Sequence, residues 1–269
     1  MRSLGIVTVL VLGLGGLLAG WVKYQEHYGL FFPRSYSEDR LASLDDRLRY
    51  RTFGSQNGPK LTGLLQQGDP EAPLLVMAHG NAGHMLDRVF WFRQVLPEGW
   101  SGLIFDYRGY GRSEGSPSVK GLKADTRRAV DYGLETTESD TLFLHGRSLG
   151  VPMMAHAARY HAPEAIILES GFPPARAVVP HVLPIPGLKY LVGLELDTVR
   201  AVRTAEEKYG AFRKLVVHGT ADRILPVELG RELYDRLSEP KTSYFVEGAG
   251  HNDLPIVAGK RYGQTLKDF

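Results

Sequence analysis

Short, continuous apolar runs alternate with longer amphipathic stretches from residue 74 to the end of the chain. Runs of three to five residues suit strands that are buried on both faces of a sheet. The predicted strands are Leu74–Ala78, Gly102–Asp106, Leu142–His145, Ala165–Leu168, Leu215–Val217 and Ser243–Val246. The stretches between and after them predict helices over Arg88–Leu96, Val119–Leu134, Val151–Tyr160, Pro226–Leu237 and Gly259–Lys267. Strands that alternate with helices form right-handed crossovers, so we predict an α/β fold with a mostly parallel sheet.

Two regions interrupt this alternation. Arg47–Phe53 and Leu61–Gln66 flank a turn that is rich in glycine and proline, and they predict a β-hairpin. Residues 171–212 hold five prolines and form a connection that is long for a compact domain. We interpret them as a short lid over an apolar substrate, while a helical excursion over the sheet edge is the alternative. The predicted catalytic domain, including this lid, is 47–269.

The N-terminus has a different pattern from the rest of the chain. About nineteen residues, Leu4–Val22, carry no charge, which is near the length that a helix needs to cross a bilayer. Trp21 and Tyr24 stand at the far end, where aromatic rings favour the membrane interface. The run is too long for the core of a cleaved signal peptide and lacks the polar face of a core helix. We therefore predict a transmembrane anchor over residues 1–23 and a juxtamembrane linker over 24–46.

Composition narrows the possible functions. The net charge is +2 over 269 residues without a basic block, so a nucleic-acid partner has no support. The chain has no cysteine, which excludes disulfides, thiolate metal sites and a cysteine nucleophile. Basic residues flank the predicted anchor on both sides, so they leave the membrane side open, with the non-cytoplasmic side favoured for the domain. The oligomeric state also stays open.

Gly146-Arg147-Ser148-Leu149-Gly150 holds the first candidate catalytic residue. It follows a predicted strand and precedes a predicted helix, and a sharp turn between the two would push the Ser148 hydroxyl out of the sheet. The two glycines relieve the crowding that such a turn creates. The segment therefore predicts a nucleophile elbow with Ser148 as the nucleophile.

The loops after other predicted strands provide partners for this serine. Serine needs an imidazole to take its proton, and His251 lies in a glycine-bounded loop after the last strand. Asp222 follows an earlier strand, and the chain order of serine, acid and histidine suits a catalytic triad. The amides of Leu149 and Asn81 are candidate donors to an oxyanion. His79, His145 and His218 each precede a glycine or a loop and are expected to shape the site from below rather than to act as bases.

Five motifs in this order resemble those of the α/β-hydrolase superfamily, and most of all its Bem46-like, membrane-anchored branch. They are His79-Gly80-Asn81-Ala82-Gly83, Asp106–Ser113, Gly146–Gly150, His218-Gly219-Thr220-Ala221-Asp222 and Gly250-His251-Asn252-Asp253. The resemblance covers residue 50 to the end and implies an eight-stranded sheet with helices on both faces, no cofactor and no metal. It also implies acyl transfer to water through an acyl-serine. Arg147 is a departure, and we expect this bulky charged residue beside the mouth of the pocket.

The sequence thus predicts a membrane-anchored serine hydrolase of carboxylic esters or thioesters, with lipid esters among the candidate substrates. A serine aminopeptidase-like peptidase shares the fold and the triad, although it usually needs a larger cap. A binding scaffold that has lost catalysis is a second alternative. Epoxide hydrolase and dehalogenase chemistry is disfavoured because it uses an aspartate at position 148, whereas a cofactor-free haloperoxidase would use the same triad.

Overall fold

An eight-stranded sheet forms the centre of the computed structural model, which describes Gly20 and residues 29–54, 58–182, 188–190 and 193–269. Ten strands are described: β1 Phe32–Pro33, β2 Arg49–Phe53, β3 Leu61–Gln66, β4 Leu74–Ala78, β5 Ala82–Gly83, β6 Ser101–Asp106, β7 Leu142–Arg147, β8 Ala165–Glu169, β9 Arg213–Gly219 and β10 Lys241–Val246. The large sheet has the order β10-β9-β8-β7-β4-β6-β3-β2. Its strands are parallel except for β3, which pairs antiparallel with β2 and β6. The predicted hairpin and the predicted α/β sheet are confirmed.

Helices cover both faces of this sheet. The described helices are α1 Glu38–Ala42, α2 Val89–Val95, α3 Val119–Thr137, α4 Gly150–Ala158, α5 Ala175–Val182, α6 Thr198–Tyr209, α7 Val227–Arg236, α8 Leu254–Ala258 and α9 Lys260–Asp268. One apolar cluster holds side chains of α3, α4, α6 and α7, and the other holds side chains of α2, α8 and α9. Helix α2 is shorter than predicted because residues 85–88 form a separate turn of 3₁₀-helix.

The short apolar runs are explained by burial on both sides. In β4, Leu74 and Val76 belong to the cluster on one face, while Leu75 and Met77 belong to the cluster on the other. Successive side chains of a strand point to opposite faces, so a central strand needs apolar residues at every position. All five residues of β4 are buried.

Two predicted segments lie partly or wholly outside the described residues. The predicted anchor, 1–23, is undescribed apart from Gly20, and in the described part of the chain no helix has the length and apolar character of a bilayer span. Of the predicted lid, residues 183–187 and 191–192 lie outside the described part of the chain. Its last part, α6, packs into the helical layer beside α4 through Val199 and Val202. The anchor and the lid stay predictions.

Candidate active site

Ser148 stands at a sharp turn between β7 and α4. Its φ is 55°, in the left-handed region that costs a residue with a side chain about 1–3 kcal/mol. A Cβ atom on Gly146 would lie 2.5 Å from the Gly150 carbonyl oxygen, and one on Gly150 would lie 2.2 Å from that of Ala78. Both positions therefore exclude larger residues, and the turn has the close approaches that an elbow requires.

Asp222 and His251 form a hydrogen-bonded pair at the same edge of the sheet. His251 Nδ1 lies 2.7 Å from Asp222 Oδ2, while Asp222 Oδ1 accepts hydrogen bonds from the amides of Ile224 and Leu225, each at 2.9 Å. Burial raises the pKa of Asp222, but hydrogen bonds from His218 and His251 outweigh it and hold that pKa well below its usual range. An ionised Asp222 favours the imidazole tautomer with its proton on Nδ1, so that Nε2 is the basic nitrogen.

A second histidine contacts the same carboxylate. The buried His218 Nε2 lies 2.7 Å from the Leu225 carbonyl oxygen and 3.3 Å from Asp222 Oδ2. Its expected role in shaping the loop fits these contacts, but the sequence did not indicate its link to Asp222. The four-residue spacing from His218 to Asp222, across the turn that ends β9, was the available signal.

Arg147 links the elbow to the His251 loop. Its Nη2 donates to the His251 carbonyl oxygen at 2.5 Å and to Asn252 Oδ1 at 2.9 Å. No direct hydrogen bond joins Ser148 and His251 in the described part of the chain; the contact runs through Arg147, the residue before the serine. Such catalytic hydrogen bonds are often long without substrate and shorten when it binds.

The expected position of Arg147 at the pocket mouth is wrong. The residue is 1% exposed, and its guanidinium lies 5.3 Å from the centre of the Trp91 ring. Its Nε donates to Glu169 Oε1 at 3.2 Å. The guanidinium is buried because an anion, two oxygen acceptors and an aromatic face together replace its water shell.

Glu169 is the centre of a buried polar cluster beneath the elbow. Its Oε2 accepts a hydrogen bond from Tyr262 at 2.6 Å and lies 2.9 Å from His145 Nε2. Burial raises the pKa of Glu169, but the hydrogen bond and charge of His145 and the charge of Arg147 outweigh this effect and lower it to about 2. Glu169 thus pairs with Arg147, whereas the carboxylate that contacts the His251 ring is Asp222.

This ionised carboxylate makes folding depend on pH. The pKa of Glu169 is lower in the folded state than in the unfolded state. The contribution of the ionised carboxylate to the free energy of unfolding is therefore complete above about pH 4.5 and is lost as pH falls towards 2. We expect the free energy of unfolding of the wild type to decrease through this window by about 2–4 kcal/mol more than that of Glu169→Gln. Urea unfolding at pH 6, 4 and 2.5 measures the difference. Parallel pH profiles of the two proteins would contradict it.

The loop after β4 lies close to the serine. A Cβ on Gly80 would lie 3.7 Å from Ser148 Oγ, so the backbone that leads into Asn81 passes beside the hydroxyl. The Asn81 carbonyl accepts hydrogen bonds from the Phe32 amide and the Tyr110 hydroxyl, at 2.9 and 2.8 Å. Within the described residues, neither the Asn81 amide nor the Leu149 amide donates to another protein oxygen. The described protein acceptors therefore leave both amides without a bond, as an oxyanion donor requires.

The N-terminal linker helps to hold this loop. Strand β1 pairs in parallel with β5, and the Asn81 side-chain amide donates to the Leu30 carbonyl oxygen at 3.2 Å. Phe31 is buried in the cluster that includes α3 and α4. The linker therefore ends against the candidate oxyanion loop, a contact that the sequence did not indicate.

Two clefts lie elsewhere on the molecule. Their volumes are about 880 and 380 Å³, and residues of α3, α4 and the segment before α6 line them. Neither cleft is lined by Ser148, Asp222 or His251. They are therefore separate from the candidate active site.

Comparison with known proteins gives one family. A family model described as alpha/beta hydrolase fold matches residues 73–186. The uncharacterized protein YfhR of Salmonella typhimurium is 33% identical over 240 residues, which are 81% of this chain and 78% of that protein. Protein bem46 of Schizosaccharomyces pombe is 28% identical over 100% of this chain and 91% of its own length.

A lipase and an esterase are also similar. Lysophosphatidylserine lipase ABHD12 of Danio rerio is 28% identical over 73% of this chain, but the match covers 58% of that protein. A solved esterase of Pyrococcus furiosus has a TM-score of 0.64 at 15% identity, covering 89% of this chain and 96% of the esterase chain. The latter similarity establishes the fold.

Proposed function

Because the chain belongs to the alpha/beta hydrolase superfamily, in its Bem46-like branch, we propose that it is a serine hydrolase of carboxylic esters or thioesters. The observation that carries the proposal is the Asp222–His251 pair, which Arg147 ties to the elbow that bears Ser148. Acyl transfer needs an activated serine, an oriented imidazole and two amide donors, and within the described residues the amides of Leu149 and Asn81 have no protein acceptor.

In the proposed reaction His251 Nε2 takes the proton of Ser148 as Oγ attacks the substrate carbonyl carbon. The amides of Leu149 and Asn81 donate to the oxyanion that forms. The carbonyl bond reforms, and the alcohol or thiol leaves with the proton from His251. Water then attacks the acyl-serine while His251 takes its proton, and His251 gives this proton to Ser148 Oγ as the acyl–oxygen bond breaks and the acid is released.

Asp222 has two roles in this scheme. Its hydrogen bond to Nδ1 holds the imidazole in the required tautomer, and its negative charge stabilises the imidazolium that forms in each step. The low pKa of Asp222 keeps this charge at neutral and mildly acidic pH, because His218 and two loop amides share the carboxylate.

Esters of lipids are the substrate class that we favour. The relative from Danio rerio is named a lysophosphatidylserine lipase, and the predicted lid of this chain is rich in apolar residues. We also propose that residues 1–23 anchor the enzyme in a membrane, because they form a charge-free apolar run of sufficient length.

Labelling with a fluorophosphonate probe tests the nucleophile. We expect the wild type to be labelled and Ser148→Ala to be unlabelled, because the probe reacts with a serine whose hydroxyl is activated. Ser170→Ala is a matched control: Ser170 directly follows β8 at this edge with a φ of 48°, but it is completely buried, whereas Ser148 is 8% exposed. Equal labelling of wild type and Ser148→Ala would contradict the assignment, and no labelling of either would support the scaffold alternative.

A further inference from the structure

Exposed apolar side chains gather at one edge of the molecule. In the described part of the chain eight large apolar residues are exposed, and the topology places five of them at the carboxyl edge of the sheet. These five are Phe32, Phe90, Ile224, Ile256 and Val257. Ile256 is the most exposed of the five, at 69%. Scattered apolar residues need no explanation, but a concentration on one face marks an interaction surface.

The topology places each of the five at this edge. Phe32 pairs with the loop after β4, and Phe90 lies in the first turn of α2, which follows the same loop. Ile224 follows β9. Ile256 and Val257 lie in α8, after β10. These loops come from strands on both sides of β7, so the five side chains flank Ser148, and we call this surface the apolar rim.

Two other exposed residues lie at the opposite edge. Tyr160 follows the end of α4, which runs away from Ser148, and Tyr209 ends α6 just before β9 begins. Within the described residues, most of the exposed large apolar side chains therefore lie at the edge that holds the candidate active site.

Basic residues accompany the apolar rim. Arg34 is two residues after Phe32 and Arg223 precedes Ile224, and both are exposed. Apolar side chains beside lysine and arginine suit the boundary between acyl chains and anionic headgroups.

The chain also leads from the predicted anchor to this edge. The anchor ends at residue 23, and β1 begins at Phe32 beside the candidate oxyanion loop. The eight residues 24–31 span at most about 29 Å when fully extended. A domain tethered this closely keeps the apolar rim at a high effective concentration beside the bilayer.

We propose that the apolar rim docks on the surface of a bilayer that contains anionic phospholipids, with the mouth of the candidate active site facing the lipid. The predicted anchor holds the domain near the membrane, and the rim sets its orientation. The orientation does not depend on Ser148 being the nucleophile. The benefit of this orientation rests on the proposed function: a lipid ester could reach Ser148 directly from the bilayer.

Single-cysteine labelling of the full chain tests the orientation, because the natural sequence has no cysteine. Phe90→Cys, Ile256→Cys and, as matched controls on the opposite edge, Tyr160→Cys and Tyr209→Cys carry an environment-sensitive fluorophore. The proteins are reconstituted in vesicles of phosphatidylcholine and phosphatidylglycerol. Lipids with a spin label near the headgroup are expected to quench the two rim labels several-fold more than the two controls. Equal quenching at all four positions would overturn the proposal.

A catalytic measurement separates docking from chemistry. Ile256→Asp combined with Val257→Asp is expected to lower hydrolysis of a long-chain ester in vesicles about tenfold, because charges replace apolar groups at the interface. Hydrolysis of a soluble two-carbon ester is expected to stay unchanged. Equal rates of the variant and wild type on the vesicle substrate would contradict docking. A wild type that cleaves only the soluble ester would instead contradict the lipid assignment, while the quenching result would stand.

Discussion

Replacing Ser148 by alanine is expected to lower kcat for ester hydrolysis by about 10⁶-fold, and replacing His251 in addition is expected to cost little more. The two residues act as one unit, because His251 has no proton to take once the Ser148 hydroxyl is absent. Asp222→Asn is expected to lower kcat about 10⁴-fold, since an amide in place of the carboxylate favours the wrong imidazole tautomer. Steady-state kinetics of the wild type, Ser148→Ala, His251→Ala, the double variant and Asp222→Asn on one chromogenic ester measure these losses.

The matched control for this series is Ser170→Ala, which removes a buried hydroxyl at the end of the neighbouring strand. Its kcat is expected to stay within a small factor of the wild-type value. The assignment of the triad would be wrong if the losses of Ser148→Ala and His251→Ala multiplied in the double variant, or if Asp222→Asn retained full activity. Either outcome would mean that the residues do not act together.

Arg147→Met is the second change with a large expected effect. Methionine fills a similar volume but removes the guanidinium that pairs with the buried Glu169 carboxylate, so the free energy of unfolding is expected to fall by about 3–5 kcal/mol. The His251 carbonyl and Asn252 also lose their donor. A loop displaced by about 1 Å is expected to lower kcat about 10²-fold with little change in KM. Chemical unfolding and steady-state kinetics measure the two effects.

Glu169→Gln separates stability from positioning. It removes the charge that pairs with Arg147 Nε but leaves the bonds from Arg147 Nη2 to the His251 loop. This variant is therefore expected to lose stability and to keep most of its kcat. If Arg147→Met, measured where it is fully folded, kept wild-type kcat, then Arg147 would have only a structural role. Equal losses of kcat in both variants would also contradict a positioning role.

Much of the fold could be predicted because its signals are local. A run such as Leu74–Ala78 needs no tertiary information to indicate a central strand, since both faces of that strand are apolar in sequence. The crowding around Gly146 and Gly150 is likewise a property of one turn. The sequence also indicated that the loops carrying Ser148, Asp222 and His251 lie together, because parallel strands bring their carboxyl ends to one edge of the sheet.

Arg147 shows where such reasoning fails. A charged residue in a short motif suggests the surface, because an unpaired guanidinium is rarely buried. Its burial depends on Glu169, 22 residues away, and on the His251 loop, 104 residues away. The contact between the linker and Asn81 spans 51 residues and has no signature in either segment.

By itself, therefore, the sequence determined the eight strands of the large sheet, five of the nine described helices, the elbow and the loops that supply candidate catalytic groups. Each of these follows from the sizes and polarities of residues that are near one another in the chain. Only the tertiary structure decided that Arg147 joins Glu169 to the His251 loop, that His218 shares Asp222, and that the apolar rim surrounds one edge. These features depend on which distant side chains meet, and charges or apolar groups gain their partners only when the sheet brings them together.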